Sequence, residues 1–178
     1  VKYKYENPLA KNRKKQTKEV YALAKIYFNN KEYQQAINHY EKIIEYNIDL
    51  MESEDWKNLS VAYFQTENYA EVIDCYDNYK ANGKTGFNNF ILATSYLKLK
   101  NYSKAIEIYS KLSNLNSLGL EIEKHNNMAE CYIGIGEHNK AIDLLERFIE
   151  RSRHNAKTYY ILGNAYKATN NNRKAKEA

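Results

Sequence analysis

Proline is almost missing from this chain: Pro8 stands alone, and glycine is sparse at six residues in 178. That scarcity excludes a collagen-like period, a Pro/Gly linker between domains and a low-complexity tract. Cysteine is equally scarce. Cys75 and Cys131 lie 56 residues apart with no CxxC, which rules out a disulfide framework and an ordinary zinc spacing. The histidines, His39, His125, His138 and His154, show no HExxH pattern and no steady carboxylate or cysteine partner. No apolar run approaches the roughly 20 residues needed to cross a bilayer, and the N-terminus has no secretory apolar stretch. Catalytic motifs are missing too. Gly134-Ile135-Gly136 lacks the preceding strand and third glycine of a phosphate loop, and Gly136 reads better as the left-handed residue that closes a helix. Glu54-Asp55 falls in a first helical turn, where acids complement the helix dipole. No serine, cysteine or threonine sits in a nucleophile motif. The expectation is a non-enzymatic chain with no cofactor, no metal and no small-molecule substrate.

What the sequence does have is repetition. In residues 89–112, Leu92, Ala93 and Tyr96 recur at helical period, as do Ala105, Ile106, Tyr109 and Leu112. Leu99-Lys100-Asn101 interrupts the pattern, with Asn101 suited to cap the second helix. The unit is therefore helix, tight turn, helix, and it recurs. Tyr27, Tyr63, Tyr96, Tyr132 and Tyr166 are spaced by 36, 33, 36 and 34 residues. Nine residues after each stands Ala36, Val72, Ala105, Ala141 or Ala175, so the inner turn keeps its length and insertions fall between repeats. Leu23, Leu59, Leu92, Met128 and Leu162, then Ala24, Ser60, Ala93, Ala129 and Gly163, form two further columns. Large and small side chains at fixed spacing are what closely packed helices require, and neighbouring pairs would bury each other's apolar stripes in one continuous core. Cys131 shares its column with Ala62, Ser95 and Ala165, which explains it as a small side chain at a tight contact.

At these residues the chain resembles the tetratricopeptide-repeat family. Asp55-Trp56-Lys57-Asn58-Leu59-Ser60-Val61-Ala62-Tyr63 matches the family's aromatic-led first helix, and Tyr159 through Tyr166 does nearly as well. The resemblance implies an all-α, right-handed superhelix, an α-solenoid of about five stacked helix–turn–helix repeats, here 17–52, 53–85, 86–121, 122–155 and an incomplete 156–178. Residues 1–16 do not fit the repeat and read as a basic connector or cap, with Pro8 closing a preceding helix tail. The proline that many family members carry between repeats is absent, replaced by Ile48, Lys84, Ser117 and Arg153. The last repeat stops at Ala178, a few residues into its second helix, so a further repeat or capping helix is expected.

In the family the first helices line a concave groove that grips a partner's peptide or helix. The residues that should face it are Tyr21, Lys25 and Phe28; Lys57, Val61 and Phe64; Phe90, Thr94 and Leu97; Asn126, Glu130 and Ile133; and Tyr160, Asn164 and Lys167. Apolar residues in a row on a wet face are a recognition signal; the competing reading has Phe28, Phe64 and Leu97 wedged between helices. The lysine–asparagine clamp of chaperone-binding members is not assembled: Lys57 is followed by Val61 and Thr94, and Asn164 by its Tyr160 neighbour lacks the lysine.

Charge adds one alternative. Residues 1–20 carry seven Lys/Arg against two acids, 21–146 twelve against eighteen, and 147–178 eight against two. A nucleic-acid binder shows a basic stripe along its working face, whereas here only the ends are basic. The 18 tyrosines fall largely in core columns, which argues against stacking platforms. The sequence thus points to a protein or peptide partner in the groove. A self-associating or intramolecular spacer within a longer protein, a homo-oligomer through the uncapped C-terminal end for example, is the alternative, and nucleic-acid binding through the basic ends ranks last.

Overall fold

The computed structural model describes residues 8–81, 88–113, 115, 117–151 and 155–177, with side chains described from residue 17 onward. Among them are ten α-helices, one 3-10 turn and no strand. The chain is all-α and of the solenoid class, and it divides into two compact units, Val1–Phe87 and Asn88–Ala178. The first unit holds α1 (Pro8–Asn29), α2 (Tyr33–Asn47), the turn Ile48–Leu50, α3 (Ser53–Gln65) and α4 (Tyr69–Ala81). The second holds α5 (Asn89–Lys98), α6 (Tyr102–Lys111), α7 (Leu118–Gly134), α8 (His138–Arg151), α9 (Ala156–Ala168) and α10 (Asn172–Glu177).

Each helix pair is closed by the same backbone device. Lys31, Glu67, Lys100, Gly136 and Asn170, each four residues after the column tyrosine, take φ of 62°, 62°, 60°, 80° and 59°. The next N–H reaches back five residues, as in Asn101 N to Tyr96 O at 2.8 Å and Glu137 N to Tyr132 O at 2.8 Å, which satisfies the carbonyls stranded at the helix end. Gly136 does what its sequence position suggested. Four other residues adopt the same left-handed conformation with side chains attached, which the sequence did not advertise. Asn101 stands at the N-cap of α6, but its side chain makes no cap bond there. Side-chain caps come instead from Asn88, Ser117 and Asn155, which accept from the N–H of Ile91, Leu120 and Thr158. Pro8 is the first residue of α1, where its missing N–H costs nothing; the expected preceding tail, 1–7, lies outside the described residues.

Within the first unit α1 packs on α2, α2 on α3 and α3 on α4. Ala24, Ala36, Tyr40, Ile43, Ala62 and Val72 are fully buried between them. Within the second, α5–α6, α7–α8 and α9–α10 are pairs, α6 packs on α7 and α8 on α9, and the first helices α5, α7 and α9 touch in succession. Ala129, Ala141, Leu145, Ile161, Leu162 and Ala165 form a buried cluster there. Burying a leucine such as Leu145 completely stabilises by about 2 kcal/mol, which is why one column keeps large residues and the facing one stays small. Cys131 is fully buried and Cys75 nearly so. Burial pushes both thiols up, Cys131 to about 12, so they act as small apolar groups.

Candidate partner-binding surface

In the first unit the groove columns of α1 and α3 meet around a buried carboxylate. Glu52 and Asp55 form a capping box at the start of α3: the Asp55 side chain accepts from the Glu52 N–H at 2.8 Å. The same carboxylate accepts from the Tyr21 hydroxyl of α1, and the Lys25 ammonium lies 3.7 Å away while also covering the Tyr21 ring at 4.6 Å. Asp55 is fully buried, whereas the Lys25 side chain is 43% exposed. Burial and then the Asp55 contact hold the Tyr21 hydroxyl well above the ordinary phenol range, so it remains a donor. Tyr21 and Lys25, one turn apart on α1, are thus fixed by an acid whose role in the sequence looked purely local. Above them Phe28 stacks edge-on against Tyr33 at 6.1 Å and Phe64 against Tyr69 at 5.8 Å. Phe28, Val61 and Phe64 are only partly buried, and Lys57, also partly buried, pairs with Glu54 at 3.7 Å.

The second unit fills the same columns differently. Thr94 is 4% exposed, and its hydroxyl lies 2.6 Å from that of Tyr109, to which the Asn127 amide of α7 donates at 2.9 Å. Phe90 sits edge-on to Tyr109 at 5.7 Å. Leu97 and Asn126 are buried at 9% and 1%, and Ile133 packs against the core cluster. Leu97, Thr94 and Asn126 are therefore buried rather than presented to water. Thr94, Leu97 and Glu130 nevertheless come together at a cleft of about 310 Å³, which Asn127 and Lys157 also line. Lys157 is held there by Glu130 at 3.0 Å. Tyr160, Asn164 and Lys167 line a second cleft of about 430 Å³ with Gly163, and Tyr160 is 70% exposed.

Sequence reasoning passed over Asp55, Asn127 and Lys157. Asn127 has an equivalent in Asn58, which donates to Tyr40 at 3.4 Å, and both pairs span 18 residues, a recurrence available to inspection. The basic N-terminal run, Lys11 to Lys15, has no described side chains. At the other end Lys157, Lys174 and Arg173 are drawn to Glu130, Glu146 and Glu177. Among the described residues no group of three or more His, Cys, Asp or Glu could hold a metal ion, and no helix is long and apolar enough to cross a membrane.

Tetratricopeptide-repeat patterns match residues 18–50, 89–116, 127–153 and 156–178. The chain belongs to the tetratricopeptide-repeat family. The matched stretches carry four of its helix pairs, and α3–α4 repeats their geometry. Solved structures of the same fold include the MamA RS-1 ArsTM double mutant, with a TM-score of 0.70 at 13% identity over 90% of this chain and 89% of that one. YrrB, described as a TPR protein with an unusual peptide-binding site, gives 0.66 at 20% identity over 86% and 78%. Among curated proteins, the human intraflagellar transport protein 88 homolog is 30% identical over 127 residues, 68% of this chain. The chain spans about 15% of that relative's length.

Proposed function

We propose that this tetratricopeptide array is a non-enzymatic protein-interaction scaffold whose first helices hold a peptide or helical segment of a partner. The observation that carries the reading is the incomplete burial of Phe28, Val61 and Phe64 on the groove columns of α1 and α3. Apolar side chains left in water on a face that the core does not need are anchors in waiting. Lys25 and Lys57 beside them favour acidic flanks on the partner. In the second unit Phe90, Glu130, Tyr160, Asn164 and Lys167 offer the accessible contacts, while Thr94, Leu97 and Asn126 stiffen the wall behind. The peptide-binding site named for YrrB supports the same class of role, and no catalytic family is indicated. The likeness to one part of a much longer intraflagellar transport protein favours a second reading, a spacer within a larger assembly protein.

The test is a displayed random-peptide library selected against the wild-type chain and against Phe28→Ala/Phe64→Ala. A groove anchored by these rings enriches apolar peptides with acidic flanks, and the double variant loses them at unchanged helicity. Selection that yields no consensus, or one indifferent to both substitutions, would count against the groove and leave the spacer reading.

A further inference from the structure

Each unit carries an apolar surface outside the partner-binding columns, and the two are opposite in charge. After α2 the chain makes the single 3-10 turn Ile48–Leu50, where Tyr46, Ile48 and Leu50 remain 53%, 45% and 42% exposed. Of these only Ile48 lines the shallow cleft of about 820 Å³ where Asp49, Glu52 and Glu54 gather and which reaches Trp56 and Asn78. Lys57 offsets part of this charge through Glu54. The corresponding place in the fourth repeat, between the start of α7 and the end of α8, is a cleft of about 460 Å³ with the opposite balance. Its floor is Leu118, Leu144 and Phe148, with His125 stacked on Phe148 at 4.1 Å and 12°. Its rim holds Arg147 and Arg151, one helical turn apart, and no ion pair engages either among the described residues. Glu121, the acid of this cleft, is already paired with Lys124 at 2.8 Å.

We propose that the α7–α8 cleft receives the Ile48–Leu50 turn of a second copy of this chain, in a head-to-tail contact between copies. The cleft is apolar with two free guanidinium groups; the turn is apolar with a surplus of carboxylates. Docking covers Ile48, Leu50 and Leu118, about half of whose surfaces now face water, and aligns Arg147 and Arg151 with Asp49 and Glu54. One sequence supplies both halves, so no foreign partner is required. Because the two surfaces differ, the contact is heterologous, and each copy keeps one half available for another. Of the groove residues only Lys57 is coupled to this contact, through Glu54, so peptide binding by Phe28 and Phe64 is tested separately.

Charge reversal separates the halves. Wild-type chain in sedimentation velocity should associate reversibly as concentration rises, and less as salt rises. R147E/R151E and D49K/E54K should each weaken self-association by at least about 100-fold, with native circular dichroism. Mixed in equal amounts, they should associate again, since each keeps one native half and the two reversed halves are themselves opposite in charge. The proposal fails if the wild-type chain stays monomeric, if either variant associates as the wild type does, or if the two folded variants do not pair. It also fails if the wild-type chain is monomeric and Arg147 and Arg151 bind some other acidic peptide, which would assign the cleft to a foreign partner.

Discussion

The two units solve one problem with different chemistry. In each, a fully buried tyrosine of a second helix receives an asparagine amide from the next repeat: Tyr40 from Asn58 in the first, Tyr109 from Asn127 in the second. What differs is the first helix that faces them. Lys25 in the first unit occupies the column of Thr94 in the second, and Tyr21 that of Phe90. A lysine there is too long and too strongly hydrated to end beside a buried hydroxyl, so its ammonium stays partly in water, 3.7 Å from Asp55. Threonine is short enough to complete a closed, neutral hydrogen-bond chain, Thr94–Tyr109–Asn127. The acid column changes in step, with Lys124 where the first unit has Asp55. A repeat therefore keeps its aromatic packing while the polar partners vary together, a buried carboxylate with a partly exposed lysine in the first unit and a closed neutral chain in the second.

The comparison is tested most severely by Asp55→Ala, which strands the Tyr21 hydroxyl and the Glu52 N–H. A loss of about 3 kcal/mol in urea unfolding is expected, because an unpaired buried polar group costs more than the bond it lost. Lys25 contributes little to that figure, being 43% exposed and able to rehydrate. A loss below about 1 kcal/mol would mean that the carboxylate does not organise the first unit. Next in size is Tyr109→Phe, which leaves the Asn127 amide without its acceptor and removes the hydroxyl beside Thr94, whose own hydroxyl still donates to the Phe90 carbonyl; it should cost about 2 kcal/mol. Tyr40→Phe breaks only a 3.4 Å contact and should cost less than about 1 kcal/mol. Equal losses would erase the distinction between the units.

Smaller effects sharpen it. The first unit closes both of its pairs on non-glycine left-handed residues, whereas the second uses Gly136 once. Lys100→Gly should therefore raise stability by about 0.5–1 kcal/mol, and Gly136→Ala should lower it by a similar amount, both read from thermal unfolding. The smallest effect is a pH dependence. The Tyr166 hydroxyl and then Lys174 hold the Glu146 carboxyl below the ordinary carboxylate range. A folded-state value below the unfolded one contributes stability that is full above about pH 4.3 and is lost as pH falls through the folded value. Glu146→Gln should flatten the fall in melting temperature between about pH 5 and 3, by a few tenths of a unit of stability at most because the site is well solvated.

The helix pairs were legible because their columns obey sterics alone. Tyr63, Tyr96 and Tyr166 must be large, Ala36 and Ala105 must be small, and both demands recur at fixed spacing. The groove was only half legible. Thr94 and Asn126 look like surface residues by type, yet they are buried; Thr94 enters the core because Tyr109 awaits it, a partner no local pattern reveals, whereas the Asn126 amide oxygen has no hydrogen-bond partner among the described residues. Asp55 was hidden for the same reason, its donor Tyr21 lying 34 residues away. Asn101 does hold the N-cap of α6, and only its side-chain bond is missing, at a backbone of φ −84° and ψ 68° that follows the left-handed Lys100.

The depth at which the ties between repeats lie has a mechanical consequence. Asn127 and Tyr109 clasp α7 to α6 out of reach of water, while α9–α10 is fastened to α8 by Tyr166, Lys174 and Glu146 at groups that water can replace one by one. Pulled apart, the two junctions would part differently: the Asn127–Tyr109 clasp as a distinct rupture step, the Glu146 tie by gradual exchange with water, leaving the buried Leu145, Ile161 and Leu162 to hold α9 on α8.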